Sequence, residues 1–441
     1  MTYYQGKQRA WLSSSILQDV VGVVNSENGS SQHGVAWGTR NDVRSGCLAG
    51  LRPLYNRCIP VPPCDVVQSE LTMKLLFWLS FTLVAYTYFG YAAWLWLEAR
   101  VHTRPIVQSP ITPDVSIVIA ARNEEANLPA KLENLRLLNY PRERIQIVIV
   151  SDGSTDRTAS ILREHASAVV PVILDESSGK ARALNEAIKR ATGEVLVFQD
   201  ARQFVEPDAV SELVSCFADP AVGAVSGELL LEPNATAPSS DALGIYWKIE
   251  KVVRKLESAS GSVVGVTGAI YAIRRELYSQ MPPGTILDDV FVPMHVARLG
   301  KRVVFQQSAI ARDRIFNEKG KEFSRKVRTL TGNYQLLRLA PWLLSPANPL
   351  LFRFISHKLL RLLVPLLLVL MLAASGLASG PFFRAVFWLQ VLLYALAGLG
   401  ALSPSSKRFK PVAIASTFVM LNAAAALAFY NFVVGRNRVW S

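Results

Sequence analysis

Carboxylates recur in this chain at spacings that can do chemistry. Asp152 follows the apolar run Ile145–Val150 in Ser151-Asp-Gly-Ser-Thr-Asp156, and Asp200 follows another in Gln199-Asp-Ala-Arg202. Asp288 and Asp289 stand side by side in Ile286-Leu-Asp-Asp-Val290, where two adjacent carboxylates can raise one pKa toward a useful range. A single acid after a strand is most often a helix cap, and Asp156 or Thr155 reads as one. Several at consecutive strand ends point instead to a metal-bound, hydrogen-bonding ligand. The segment Gly179-Lys-Ala-Arg-Ala-Leu-Asn185 opens a helix with a glycine and a cation, a combination suited to a diphosphate, although basic residues are also common at solvated helix starts.

Those residues need a scaffold, and the pattern supplies one. Val115–Ala120, Ile145–Val150, Val169–Leu174 and Glu194–Gln199 are short runs rich in β-branched residues. They alternate with helical stretches at Glu124–Leu138, Thr155–His165 and Gly179–Ala191. Strand–helix alternation of this kind predicts a mostly parallel, doubly wound sheet with helices on both faces. Ligands of such sheets sit at the carboxyl ends of the strands, where the acids are.

The flanks belong to a membrane. Half of the 441 residues are hydrophobic, and the formal net charge is +13. Leu75–Leu97 carries no charge and is long enough to span a bilayer; Leu362–Pro381, Ala385–Ser406 and Pro411–Gly435 do likewise. Between Arg298 and Arg361 there are fourteen Lys and Arg against three acids, a collar ahead of the apolar runs that suits anionic lipid headgroups. No nucleic-acid-binding motif is present, and nucleic acid is excluded as a partner. Cys47, Cys58, Cys64 and Cys216 lack metal-ligand spacing; Cys216 reads as core. The basic turn Ser405–Lys410 places its side of the membrane in the cytoplasm, and counting back places residues 98–358 there too. Arg436 and Arg438 then fall outside, against the rule. The expected organisation is a poorly ordered segment 1–72 that need not be native, a span at 73–98 and a catalytic domain at 99–318. Interfacial helices at 319–358, three spans within 359–435 and a tail at 436–441 complete it.

In this order the motifs resemble the membrane-integrated family 2 glycosyltransferases, the group of cellulose, chitin and hyaluronan synthases and ceramide glucosyltransferase. The resemblance runs from Val115 to Arg328. It implies an α/β catalytic domain of GT-A type, Rossmann-like, with transmembrane helices on both sides, working as an inverting sugar transferase. A UDP-sugar would be the donor, with Ala121, Asn123, Glu124 and Asp152 around the nucleoside and Lys180 at the diphosphate. Asp200 matches the first aspartate of the family's metal motif for Mg²⁺ or Mn²⁺, but Arg202 occupies the second acidic position and can itself neutralise charge. Asp289 would be the base and Asp288 its orienting neighbour, while Gly268, in Val266–Tyr271, lines the acceptor side with Arg274 or Arg275 beyond it. Tyr246 and Trp247 offer rings on which a sugar can stack. The family's final Gln-x-x-Arg-Trp motif corresponds to Arg325-Lys-Val-Arg328-Thr329: Arg328 keeps the diphosphate contact, Arg325 replaces the glutamine, and Thr329 replaces the tryptophan associated with processive synthesis. The acceptor is then a membrane-associated saccharide or lipid, with polysaccharide export proteins as partners of that role. Two alternatives stay open: single addition to a polyprenyl-phosphate carrier, and a degenerate donor-binding subunit of an export complex.

Overall fold

The computed structural model describes residues 64–232, 241–314 and 321–435; Cys47, Cys58, Arg436, Arg438 and the side chains of Cys64, Tyr246 and Trp247 lie outside that description. In chain order the elements are α1 (Cys64–Ala85), α2 (Tyr91–Val101), β1 (Val115–Ala121), α3 (Leu128–Arg136), β2 (Ile145–Asp152), α4 (Thr158–Glu164), β3 (Val170–Leu174) and α5 (Lys180–Ile188). Then come β4 (Val195–Asp200), β5 (Phe204–Val205), α6 (Ala209–Ser215), β6 (Val222–Glu232), α7 (Asp241–Ser260), β7 (Ile270–Arg274), α8 (Asp288–Arg298) and β8 (Arg302–Arg314). The chain continues through α9 (Lys321–Leu339), α10 (Leu351–Phe354), α11 (Leu360–Leu377), α12 (Pro381–Leu402) and α13 (Lys410–Val433).

The strands form one sheet in the order β3-β2-β1-β4-β7-β6-β8-β5. β3, β2, β1 and β4 run parallel, as do β6 and β8; β7 is antiparallel to both of its neighbours, and β5 is antiparallel to β8. All seven residues of β1 are buried, as a central strand covered on both faces requires. Its odd-numbered residues Ile117 and Ile119 pack with Leu128 and Leu132 of α3, and its even-numbered Val118 packs with Ala181 and Leu184 of α5. The sheet is therefore sandwiched between two helical layers, each fully buried Val or Ile contributing roughly 1.5–3 kcal/mol. Cys216 is free and buried in the first of these layers, as expected.

Among the described residues, four helices are long and apolar enough to cross a membrane: Gln68–Val101, Leu351–Leu377, Pro381–Leu402 and Lys410–Val433. One precedes the sheet and three follow it. α1 packs along α11, and α13 packs along α9 and α12. The helix containing α11 begins well before the apolar run at Leu362. α10 continues through a π-helical turn, Ile355–Leu359, into α11, so Arg353, His357, Lys358 and Arg361 lie on its first turns. Arg353, His357 and Arg361 turn back to pair with acids of α2 and α7.

Candidate functional site

The loops after β1 and β2 interlock. Asn123 takes a left-handed backbone, φ 53°, which an asparagine tolerates better than most residues. Its Oδ1 accepts from the Thr155 amide at 2.9 Å, the Glu124 amide donates to Thr158 Oγ1 at 2.8 Å, and Glu125 and Asp156 each accept from the other's loop. Glu124 Oε2 also accepts from Asn127, so the expected helix from Glu124 yields its first turn to this lattice and α3 starts at Leu128. Asp156 accepts from the Thr158 amide and closes the start of α4, the capping role read from its position. Ala121 is fully buried at the end of β1, beneath these loops.

Asp152 is fully buried, and its carboxylate is occupied by the turn that leads into α5. The Ser178 amide donates to it at 2.7 Å, the Gly179 amide at 2.9 Å, and the hydroxyls of Ser177 and Ser178 at 3.1 and 2.9 Å. Gly153 is required where the two turns touch: at φ +57° a Cβ would lie 2.2 Å from the Ser177 amide nitrogen. The family resemblance places Asp152 at the nucleobase; in the structure its carboxylate also accepts from four donors and so clamps the 177–179 turn. Asp152→Ala is expected to strand two amides and destabilise the protein by about 2–4 kcal/mol. It should also abolish the melting-temperature shift caused by a nucleotide ligand; a variant that keeps both stability and shift removes the clamp role.

That clamp delivers Lys180, the first residue of α5, to the centre of the carboxylates. Its Nζ lies 3.1 Å from Asp200 Oδ1 and 3.2 Å from Asp288 Oδ2, so the end of β4 and the starts of α5 and α8 meet on one ammonium. Burial opposes the charge on Lys180, but Asp200 and Asp288 outweigh it and hold the group protonated. Asp289, the next residue along α8, is raised to about 6, first by burial and then by Asp288. Its carboxyl faces Gly268, where an added Cβ would sit 3.6 Å from Oδ2. Beneath the carboxylates Phe198 of β4 and Tyr271 of β7 stack at 4.6 Å, and the buried Tyr271 hydroxyl has no hydrogen-bond partner among the described residues.

Arg202 is not turned loose in this site. Its guanidinium pairs with Asp313 of β8, which also accepts from Gln203 Nε2 at 3.1 Å, and the Gln203 carbonyl accepts from Lys131 Nζ at 2.8 Å. Lys131 is buried, and burial pushes its pKa down to about 7 against the pull of Asp200. Neither Lys131 nor Asp313 was among the residues singled out from the sequence. Lys131 had a signal, being a lysine on the helical stripe of Leu128, Leu132 and Leu135. On α9, Arg325 and Arg328 are exposed, with no hydrogen bond to the carboxylates among the described residues. α9 reaches the site by another residue: Gln335 accepts from the Ile286 amide at 3.0 Å and donates to the Gly284 carbonyl at 2.8 Å, bracing the loop into Asp288. Arg274 is spent on backbone carbonyls of Phe217, Asp219 and Val222, and Arg275 on that of Thr192.

Among the described residues no group of three or more His, Cys, Asp or Glu is placed to hold a metal ion. Asp200 offers one carboxylate whose side chain is 37% exposed, and one carboxylate with phosphate oxygens is a sufficient set for Mg²⁺ or Mn²⁺.

Residues 116–281 match the family model Glycosyl transferase family 2, from the second residue of β1 to Met281 in the loop after β7. This chain carries a family 2 glycosyltransferase domain. It is 23% identical to the poly-β-1,6-N-acetyl-D-glucosamine synthase of Staphylococcus aureus over 247 residues, 55% of this chain and 60% of that protein. It is 27% identical to the probable glycosyltransferase YdaM of Bacillus subtilis over 213 residues, 45% of this chain and 50% of that one. The chain thus spans between half and three fifths of the length of these curated relatives. A solved structure, the mannosyltransferase PcManGT from Pyrobaculum calidifontis in complex with GDP-Man and Mn²⁺, superposes with a TM-score of 0.61 at 25% identity, covering 81% of this chain and 99% of that one. The fold is the GT-A glycosyltransferase fold. Within the family 2 domain lie Ala121, Asn123, Glu124, Asp152, Lys180, Asp200, Arg202 and Gly268, whereas Asp288, Asp289, Arg325 and Arg328 lie beyond the matched residues.

Proposed function

We propose that this chain transfers a sugar, with inversion, from a nucleotide-sugar donor to a hydroxyl of a membrane-associated saccharide or lipid. The observation that carries the reading is the convergence of Asp200, Lys180 and Asp288 on one point with Asp289 beside it, at the carboxyl ends of the strands. Lys180 supplies positive charge where a diphosphate leaves. Asp289, at a pKa of about 6, is ionised at neutral pH yet basic enough to take a proton. The acceptor oxygen bonds to the anomeric carbon as the bond from that carbon to the diphosphate oxygen breaks. The electron pair stays on the departing nucleoside diphosphate, and the acceptor's proton passes to Asp289. A divalent cation held by Asp200 and the diphosphate would neutralise the leaving group.

The donor is proposed as a UDP-sugar on the resemblance of the motifs. A GDP-sugar is the second reading, favoured by the GDP-Man bound in the similar mannosyltransferase. The basic turn Lys407–Lys410 between α12 and α13 supports four spans with the catalytic domain in the cytoplasm. Thr329, in place of the tryptophan of processive enzymes, favours short products over long ones. Incubating the purified full chain with UDP- and GDP-sugars, with Mn²⁺ and with chelator, should release nucleoside diphosphate from one donor class in a metal-dependent way. Absence of release from every donor would sink the transferase reading and leave a binding subunit.

A further inference from the structure

The loop that carries the chain from Asp200 to β5 is gripped by two elements far from it in sequence. From α3, Lys131 Nζ donates to the Gln203 carbonyl at 2.8 Å. Asn134 of the same helix holds Val205 twice, accepting from its amide at 2.9 Å and donating to its carbonyl at 2.9 Å. Ala201 and Val205 are buried in one cluster with Leu128, Leu132 and Leu135. From β8, Asp313 accepts from the Arg202 guanidinium and from Gln203 Nε2 at 3.1 Å, and the Ile310 carbonyl accepts from the Glu206 amide at 3.0 Å. Lys131 is 1% exposed and Asp313 6%, so water does not compete for either grip.

Neither Lys131 nor Asp313 has a part in the transfer itself. Their place in the loop suggests what they do. Two acids in a metal motif are drawn together by the ion that they ligate, which orders the loop as it binds. Here the second position holds Arg202, a cation that repels an ion on Asp200 unless a carboxylate neutralises it. Asp313 is that carboxylate. Both of its donors land on Oδ2, and Oδ1 has no hydrogen-bond partner among the described residues. A single protein ligand also binds best when it is placed beforehand, because little ordering is then left to oppose binding.

Taking the transferase reading above as its basis, we propose that Lys131, Arg202 and Asp313 are positioning residues for the divalent cation. They hold the loop between α3 and β8 with Asp200 already placed, in the role that a second motif acid would fill by ligating the ion. Arg202 then acts through Asp313 rather than on the diphosphate.

The test titrates Mn²⁺ into the full chain in phosphatidylcholine nanodiscs, with UDP or GDP at saturation, while the melting temperature is read. Asp313→Asn and Lys131→Met should each raise the Mn²⁺ midpoint by at least about tenfold, with the shift at saturating Mn²⁺ unchanged from wild type. Arg202→Lys, which keeps a cation opposite Asp313, should stay within about threefold. Adding Arg202→Met to Asp313→Asn should raise the midpoint no more than about threefold further, because residues that act through one pair are not additive. A further tenfold rise in the double variant would put Arg202 on the diphosphate and overturns the proposal. So do unchanged midpoints in the single variants, or a wild type that answers nucleotide but not Mn²⁺. A smaller shift at saturating Mn²⁺ would make the network general scaffolding, which overturns it too. A wild type that responds to neither nucleotide, with or without Mn²⁺, overturns the transferase reading instead.

Discussion

Asp289→Asn is expected to lower kcat by about a thousandfold while leaving the donor KM within a few-fold, because a positioned general base contributes roughly 10²–10⁴ in rate. The choice of Asp289 over Asp288 rests on their surroundings. Asp288 Oδ2 lies 3.2 Å from the Lys180 ammonium, whereas the Asp289 carboxyl faces Gly268 on the proposed acceptor side. The wild-type rate should therefore climb with pH through about 6 and level off above it, as Asp289 becomes the carboxylate. The residual activity of the asparagine variant should lack that acid limb. Stability should move the other way. The folded pKa lies above the model-peptide value of 3.8, so the penalty for ionising Asp289 builds as pH rises from about 4 to 6 and is complete above that. At pH 7.5 the asparagine variant should be more stable than wild type by about 1–2 kcal/mol, discounted for partial exposure. Full activity in the variant, or an unchanged pH profile, rules Asp289 out as the base.

Glu257→Ala is expected to cost about 3–5 kcal/mol, the usual penalty for removing one partner of a buried charge cluster. Glu257 is fully buried and accepts from the Tyr91 hydroxyl at 2.6 Å and from His357 at 2.8 Å. Its loss leaves an imidazole facing Glu250 alone and a buried phenol unpaired, at the seam between α2, α7 and the turn bearing Lys358. Burial alone would raise the Glu257 pKa, but His357, Tyr91 and Arg353 prevail and lower it. A depressed carboxylate contributes stability that is present above its unfolded value, near 4.5, and is lost as pH falls through the folded one. The melting temperature of wild type in nanodiscs should thus fall steeply below pH 4.5, and the alanine variant should be low and flatter across that range. A variant that melts with wild type would show that the cluster does not join the membrane helix to the catalytic domain.

Much of this was legible in the sequence. Val115–Ala121 and Ile145–Asp152 announce buried strands because both faces must be apolar, and acids at their ends mark one edge of a sheet whatever the topology. Cys216 on an apolar helical face reads as core, and uncharged stretches of about twenty residues read as spans. These are local properties, set by periodicity and length. Other features depend on residues far apart in the chain, which no local pattern couples. That the Asp152 carboxylate is consumed by Ser177–Gly179, or that Asp313 pairs with Arg202, follows only from the sheet bringing β2 to the α5 turn and β8 to the β4–β5 loop. The early start of the helix leading into α11 is hidden because Arg353, His357 and Arg361 look like a basic collar until Glu98, Glu250 and Glu257 are seen opposite them. The sequence by itself determined the class of domain, the membrane flanks and which carboxylates crowd the strand ends. Only the tertiary structure decided which of those carboxylates is paired with Lys180 and which faces Gly268 instead, because charge pairing is a matter of distance in space.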